Sequence, residues 1–206
     1  MKSICKNRRM HIKSDADDDG EESGSDEGTE KNTVKAIGNN IYFYGGIDVK
    51  SVMEFNIMLM DKERELTKSG IEFGYTPEIN VYIQSDGGEV YAGLSAMDHI
   101  KSCRVHVNTI ADGCVASAAT FMLLGGHERY IMAHASILIH QIRTGFWGRW
   151  EELKDEHKNC ENIMKTLKRV YKDNSKLSDK KLTELLSREI FLTADECVKY
   201  GIALQY

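Results

Sequence analysis

Beyond residue 36 the apolar positions follow two rhythms that alternate along the chain. In EINVYIQ (78–84), Ile79, Val81 and Ile83 fall on every second residue, the period of a strand with one face turned inward. The run before it, DVKSVMEFNIMLMDKERELTKSG, spaces Val52, Phe55, Met58, Leu59 and Leu66 close to helical period, with Asp48 placed to cap the helix and Gly70 to end it. NIYFYGG (40–46) is a short β-rich run and SDGG (85–88) a turn. A helix from about Val90 to Ser102 and a strand CRVHVNTI follow. After a tight ADGC turn come an apolar helix ASAATFMLLGG, strands ERYIM and SILIHQ, and the long amphipathic WEELKDEHKNCENIMKTLKRVYKDN. A shorter helix starts at Ser178. The last helix opens on a capping box, Thr193 with Glu196, and stops at Gly201. The order β-α-β-α predicts an α/β fold rich in parallel pairing, with no internal repeat.

The first part of the chain lacks this patterning. Residues 13–32 hold no apolar side chain except Ala16, and so charged a Gly/Ser-rich stretch cannot bury enough surface to offset its ordering entropy. Residues 1–36 are therefore expected to be a disordered charged leader, a removable or partner-binding arm or a solvated tail, and 37–206 the folded domain. The net charge of −5 is concentrated there: five basic side chains lie in 1–14 and nine acidic ones in 15–30, leaving a nearly neutral body. No basic face invites nucleic acid. No apolar run is long enough to span a bilayer or to serve as a secretory signal, so no membrane partner is expected and the cytoplasm is the expected compartment. The five cysteines are scattered, free of any C-x-x-C pair, and read as reduced thiols; the seven histidines contain no close ligand pair. Neither a disulfide framework nor a metal site is supported.

Candidate chemistry begins at DGCVASAAT (112–120). A serine opening an apolar helix is ordinarily a cap or a small packing residue. Here Ser117 follows a strand and a turn, where free backbone N–H groups and the helix dipole favour a developing negative charge. Ala116, Ala118 and Ala119 leave its hydroxyl accessible. The placement has the physical logic of a nucleophile elbow, although G-x-S-x-G is absent. A serine needs a base, and His140 at the end of SILIH is the candidate: an interval of 23 residues lets the chain go out along a helix and return along a strand of similar reach. His134 competes but lies in the turn MAHA, and Cys114 competes with Ser117 but precedes the helix. In SDGG, glycine exposes backbone N–H groups, so Gly88 with Ala118 could hold a carbonyl oxygen as an oxyanion hole.

Four segments, VYIQSDGGEVYAGLSAMDHIK, TIADGCVASAATFMLLGG, SILIHQ and EIFLTADECVKYGIA, resemble in order and approximate spacing the proteolytic subunit of the Clp protease family. These are serine peptidases with a crotonase-like fold, a spiral of β-α-β units with a protruding strand-helix handle. The resemblance runs from about Ile41 to Leu204. It implies Ser117 as nucleophile, His140 as general base, Gly88 and Ala118 as oxyanion donors, Glu189 as the acid that orients the histidine, and Gly87, Gln141 and Ile142 as substrate-binding positions. It also implies a protein or peptide substrate, an acyl-enzyme route without metal or organic cofactor, and a homo-oligomer of two stacked rings joined through the handle, here RTGFWGRWEELKDEHKN (143–159).

The departures from the family pattern are informative. The usual S-P-G-G is SDGG, H-Q-P is HQI, and the usual aspartate is Glu189, whose extra methylene moves the carboxylate. The A-S-A-A run, the pair Trp147-Gly148 and a glutamate before the aromatic-Leu-Thr-Ala segment are similar to a phage branch that cleaves capsid or scaffold proteins. A Clp ATPase is the partner that the ATPase-dependent branch implies. Of the aromatics that branch carries before the glycine turn only Tyr82 remains, with Asn80 and His99 nearby, which weighs against that partner. Two other readings stay open: a non-catalytic structural ring subunit, and a crotonase-type acyl-CoA enzyme, which needs no Ser–His pair. Glu184 and Asp195 are the alternative acids, and for Trp147 and Trp150 the alternative to a handle is ordinary core packing.

Overall fold

The computed structural model describes residues 33–206. A seven-stranded sheet is the frame, with β1 (Thr33–Ile37), β2 (Asn40–Tyr44), β3 (Glu78–Ser85), β4 (His106–Ala116), β5 (Glu128–Ile131) and β7 (Leu204–Gln205) side by side in the order β1-β2-β3-β4-β5-β7. β6 (Ser136–Leu138) pairs with β4 off this path. Only β1 and β2 are antiparallel; the remaining pairs are parallel, as strands joined by crossover helices must be.

The helices follow from local signals. Helix α1 (Val49–Phe73) starts on a reciprocal box in which Ser51 N–H donates to Asp48 Oδ1 at 2.7 Å and Asp48 N–H to Ser51 Oγ at 3.1 Å. Its Val52, Phe55, Leu59 and Leu66 are buried, and Phe55 meets Phe43 of β2 edge to face at 5.9 Å. Each such side chain contributes about 1.5–3 kcal/mol of burial. Helix α2 (Val90–Ser102) and α3 (Ala119–Gly125) pack together beside β3 and β4. Then α4 (Trp150–Asp173), α5 (Asp179–Leu186) and α6 (Ala194–Lys199) complete the chain; Ser178 caps α5 and the Thr193–Glu196 box opens α6.

Four expectations need correction. β1 begins at Thr33, inside the stretch expected as leader, because Val34 is buried and the strand finds its whole ladder on β2; the rest of that stretch, 1–32, lies outside the described residues. Helix α1 passes through Gly70 and stops three residues later, where Gly74 takes the left-handed φ of 69° and donates its N–H to Gly70 O at 2.9 Å. A glycine inside a helix weakens it by about 1 kcal/mol but does not end it; a residue that reverses φ does. ADGC is not a tight turn. It belongs to β4, whose register against β3 passes from Ile83↔Ala111 to Ser85↔Val115, so Asp112, Gly113 and Cys114 form a bulge with Gly113 at φ 95°. Core packing also fails for the tryptophans: Trp147 is 85% and Trp150 71% exposed.

Candidate active site

The bulge re-aims the end of β4. Its first half pairs with β5 through Asn108–Ala111, and its last three residues, Cys114, Val115 and Ala116, pair with Ser136, Ile137 and Leu138 of β6. Ser117 comes next, at φ 55°, and is the one non-glycine with positive φ among the described residues. Such a conformation costs on the order of 1–3 kcal/mol and persists where the surroundings over-determine it. Here it turns the chain from strand to helix within one residue. The Ser117 N–H donates to Leu138 O at 2.9 Å, and its carbonyl accepts from Thr120 N–H at 3.0 Å.

That first bond ties Ser117 to a point closer along the chain to His140 than to His134. β6 runs from the turn holding His134 toward His140, and its far end, Leu138, is where Ser117 is tied. His140 follows by two residues, about 7 Å of chain at most. Both Ser117 and His140 are half-buried. Among the described residues, no hydrogen bond joins the Ser117 hydroxyl to the imidazole.

The loop bearing Glu189 is pinned at two points, against β6 and against the segment that follows it. Gln141 N–H donates to Leu186 O at 2.8 Å, while Ile137 and Leu192 exchange bonds of 3.1 and 2.7 Å. Glu189 therefore lies on a short span whose two ends flank His140. Its carboxylate is paired with the Arg143 guanidinium, an ion pair between exposed side chains. Of the alternative acids, Glu184 pairs with Lys181 at 3.1 Å and Asp195 sits in the first turn of α6.

Gly87 and Gly88 close the other side. A methyl group on Gly87 would lie 2.6 Å from Ser117 Cβ and 2.7 Å from Ala116 O, so the SDGG turn rests directly on the serine. Gly88 bridges to Ile47 in parallel register: Ile47 N–H donates to Gly87 O and Glu89 N–H to Ile47 O, both at 2.8 Å. This bridge uses the neighbours of Gly88, so the Gly88 N–H faces the opposite side. Gly93 on α2 comes equally close, 2.6 Å from its would-be Cβ to Ala118 O. Gly87 and Gly93 thus let the SDGG turn and α2 approach the Ala116–Ala118 backbone closely. Of the expected substrate-binding positions, Gln141 is exposed, Ile142 half-buried and Gly87 buried beneath the turn.

Cys114 lies three residues before Ser117, within β4, where burial and the Asp86 carboxylate that accepts its S–H push the thiol up to about 11. Because the raised value favours the neutral form, almost no thiolate exists at pH 7–8. Cys114→Ala is expected to leave peptide hydrolysis within twofold of the parent, and alkylation of Cys114 by iodoacetamide to accelerate only as pH approaches 11. Among the described residues no group of three or more His, Cys, Asp or Glu side chains could hold a metal ion. No helix among them is long and apolar enough to cross a membrane.

Sequence reasoning missed Thr120 and Tyr171. The Thr120 hydroxyl donates to Ser117 O at 2.6 Å and meets the Tyr171 hydroxyl at 2.7 Å. A threonine three residues after the serine was the available signal for the first; for Tyr171, fifty-one residues away, there was none.

The family model for Clp protease matches residues 74–205, and the chain belongs to that family. The ATP-dependent Clp protease proteolytic subunit of Deinococcus radiodurans is 33% identical over 127 residues, 61% of this chain and 62% of that protein. The chain thus aligns with somewhat under two thirds of that relative's length. In fold it is similar to a ClpP1 mutant from Listeria monocytogenes, with a TM-score of 0.70 and 22% identity over 81% of this chain and 90% of that one. The fold is therefore ClpP-like, a mostly parallel sheet flanked by helices; the strand expected in the handle is not formed, since residues 139–149 lead into α4 without strand structure.

Proposed function

We propose that this chain is a serine endopeptidase that hydrolyses peptide bonds in proteins through Ser117, His140 and Glu189. The observation that carries the reading is the strained junction at Ser117, φ 55°, hydrogen-bonded to the strand that leads to His140. In the reaction Ser117 Oγ attacks the scissile carbonyl while the imidazole takes its proton, and the Gly88 and Ala118 N–H groups receive the oxyanion. The imidazolium returns its proton to the leaving amine. Water, deprotonated by the same imidazole, then hydrolyses the acyl-enzyme. Glu189 orients the ring and offsets its charge, and Gly87, Gln141 and Ile142 hold the substrate backbone.

The active form is a homo-oligomer, two stacked rings that enclose the serines. Supporting this, residues 139–149 run without a ladder partner among the described residues into α4, and Trp147 and Trp150 at that point are exposed. Val49, Met53, Ile57 and Met60 add an exposed apolar stripe on α1. The substrate is a capsid or scaffold protein, as in the phage branch, or a protein marked for Clp-type degradation. An ATPase partner gains one supporting feature: Tyr82 stacks on Tyr42 at 4.9 Å and shares a hydroxyl contact of 3.1 Å with Tyr206, so aromatics from three strands or termini gather where one was expected.

The Arg143–Glu189 pair favours a second reading, a non-catalytic ring subunit whose acid is engaged elsewhere. A Glu189 series separates them. Hydrolysis of short fluorogenic peptides by the assembled protein is expected to survive Glu189→Asp within about tenfold and to fall about 10²–10⁴-fold in Glu189→Ala. An unimpaired alanine variant would place the acid at another residue. An assembled wild type that neither hydrolyses peptides nor reacts with a fluorophosphonate would support the structural subunit.

A further inference from the structure

We infer that Tyr171, on the last turn of α4, is a positioning residue for the oxyanion donor at Ala118, acting through the Thr120 hydroxyl and the carbonyl of Ser117. The inference rests on the reading of Ser117 as nucleophile. Thr120 is 1% and Tyr171 2% exposed, and their hydroxyl oxygens are 2.7 Å apart. Thr120 has one hydroxyl hydrogen. The Ser117 carbonyl, 2.6 Å away, can only accept, so Thr120 donates there and Tyr171 must donate to Thr120. Burial pushes the Tyr171 phenol up, which keeps its O–H in place at neutral pH. The direction of the chain is thereby fixed: Tyr171 O–H to Thr120 Oγ1, Thr120 O–H to Ser117 O.

The consequence lies in the peptide plane. The Ser117 carbonyl and the Ala118 N–H belong to one rigid amide, so whatever holds the oxygen aims the N–H on its other side. Two donors hold it, Thr120 N–H and Thr120 Oγ1, while the preceding amide is tied to Leu138 O. Tyr171 adds the last member from a helix remote in sequence. Without it the Thr120 hydroxyl gains the freedom to turn away from the carbonyl, and the left-handed junction loses one of the contacts that over-determine it. An oxyanion donor works mainly in the transition state, so misaiming it lowers kcat and leaves KM nearly unchanged.

The test is steady-state hydrolysis of fluorogenic peptides by the assembled full chain, at least 20 °C below each variant's Tm. Tyr171→Phe is expected to lower kcat about tenfold, part of the 10²–10³ that follows outright loss of a donor, with KM within twofold. Thr120→Val is expected to do the same, Thr120→Ser to retain the parent rate, and the Tyr171→Phe/Thr120→Val double variant to be no slower than the worse single. A purely structural role would lower Tm alone. Parent-like kcat in folded Tyr171→Phe would overturn the inference, as would full additivity in the double variant. Should Tyr171→Phe fail to fold, equal kcat in Thr120→Val and Thr120→Ser would overturn it. A wild type without Ser117-dependent hydrolysis would instead overturn the proposed function, and this inference with it.

Discussion

Ser117→Ala is expected to lower kcat/KM for peptide hydrolysis by at least ~10³-fold while leaving Tm within about 2 °C of the parent. The two halves of that expectation have separate causes. In the proposed mechanism the hydroxyl is the group that forms the acyl-enzyme, and without it only the proposed oxyanion donors and substrate binding remain. Its removal leaves no buried group unpaired, because among the described residues Ser117 Oγ has no hydrogen-bond partner. Alanine also inherits the same left-handed backbone, so the strain at φ 55° is neither relieved nor increased. Ser117→Gly makes the complementary point: glycine adopts this φ freely, and the variant should be inactive yet more stable by about 1 kcal/mol. Thermal denaturation followed beside peptide hydrolysis checks both.

Gly87→Ala should damage the site from the opposite side. Its methyl would stand 2.6 Å from Ser117 Cβ, 2.7 Å from Ala116 O and 3.1 Å from Ala118 N, and two of those three atoms are backbone. At φ 96° an alanine is strained whatever the space. Overpacking of this kind costs about 1–3 kcal/mol, a fall in Tm of roughly 2–12 °C for a chain of this size. The catalytic loss is expected to be larger in proportion, because the displaced atoms are the Cβ that carries the proposed nucleophile and the N–H of the proposed oxyanion donor Ala118, and a displacement near 1 Å costs about 10²-fold. Differential scanning fluorimetry and kcat on the same preparation test it; parent-like values in both would show that the turn does not rest on the serine.

Much of this was legible in the sequence wherever the determining signal is local. Alternation at Ile79, Val81 and Ile83, the Asp48 cap and the Thr193–Glu196 box depend on neighbours within one or two turns, and each appears in the structure where expected. The approach of Ser117 to the end of SILIH was readable in part: Ser117 is tied to Leu138, but the expected strand SILIHQ ends there, two residues before His140. What failed was non-local or compensatory. β1 (TVKAI) has the same five residues in length as β2 but lacks its aromatic β-rich composition, and it exists because β2 offers a ladder. The bulge at Asp112–Cys114 reads as a turn because glycine serves both, and only the register against β3 tells them apart. The Arg143–Glu189 and Thr120–Tyr171 pairs join residues 46 and 51 positions apart, contacts that no spacing rule reaches.

In the proposed mechanism the oxygen at 117 is the atom that becomes acylated. Tandem mass spectrometry of the assembled protein after treatment with a fluorophosphonate tests it most directly. A single stoichiometric adduct on Ser117, absent from His140→Ala, is expected. An enzyme that hydrolyses peptides yet carries its adduct on another side chain, or reacts at Ser117 equally well without His140, would contradict it.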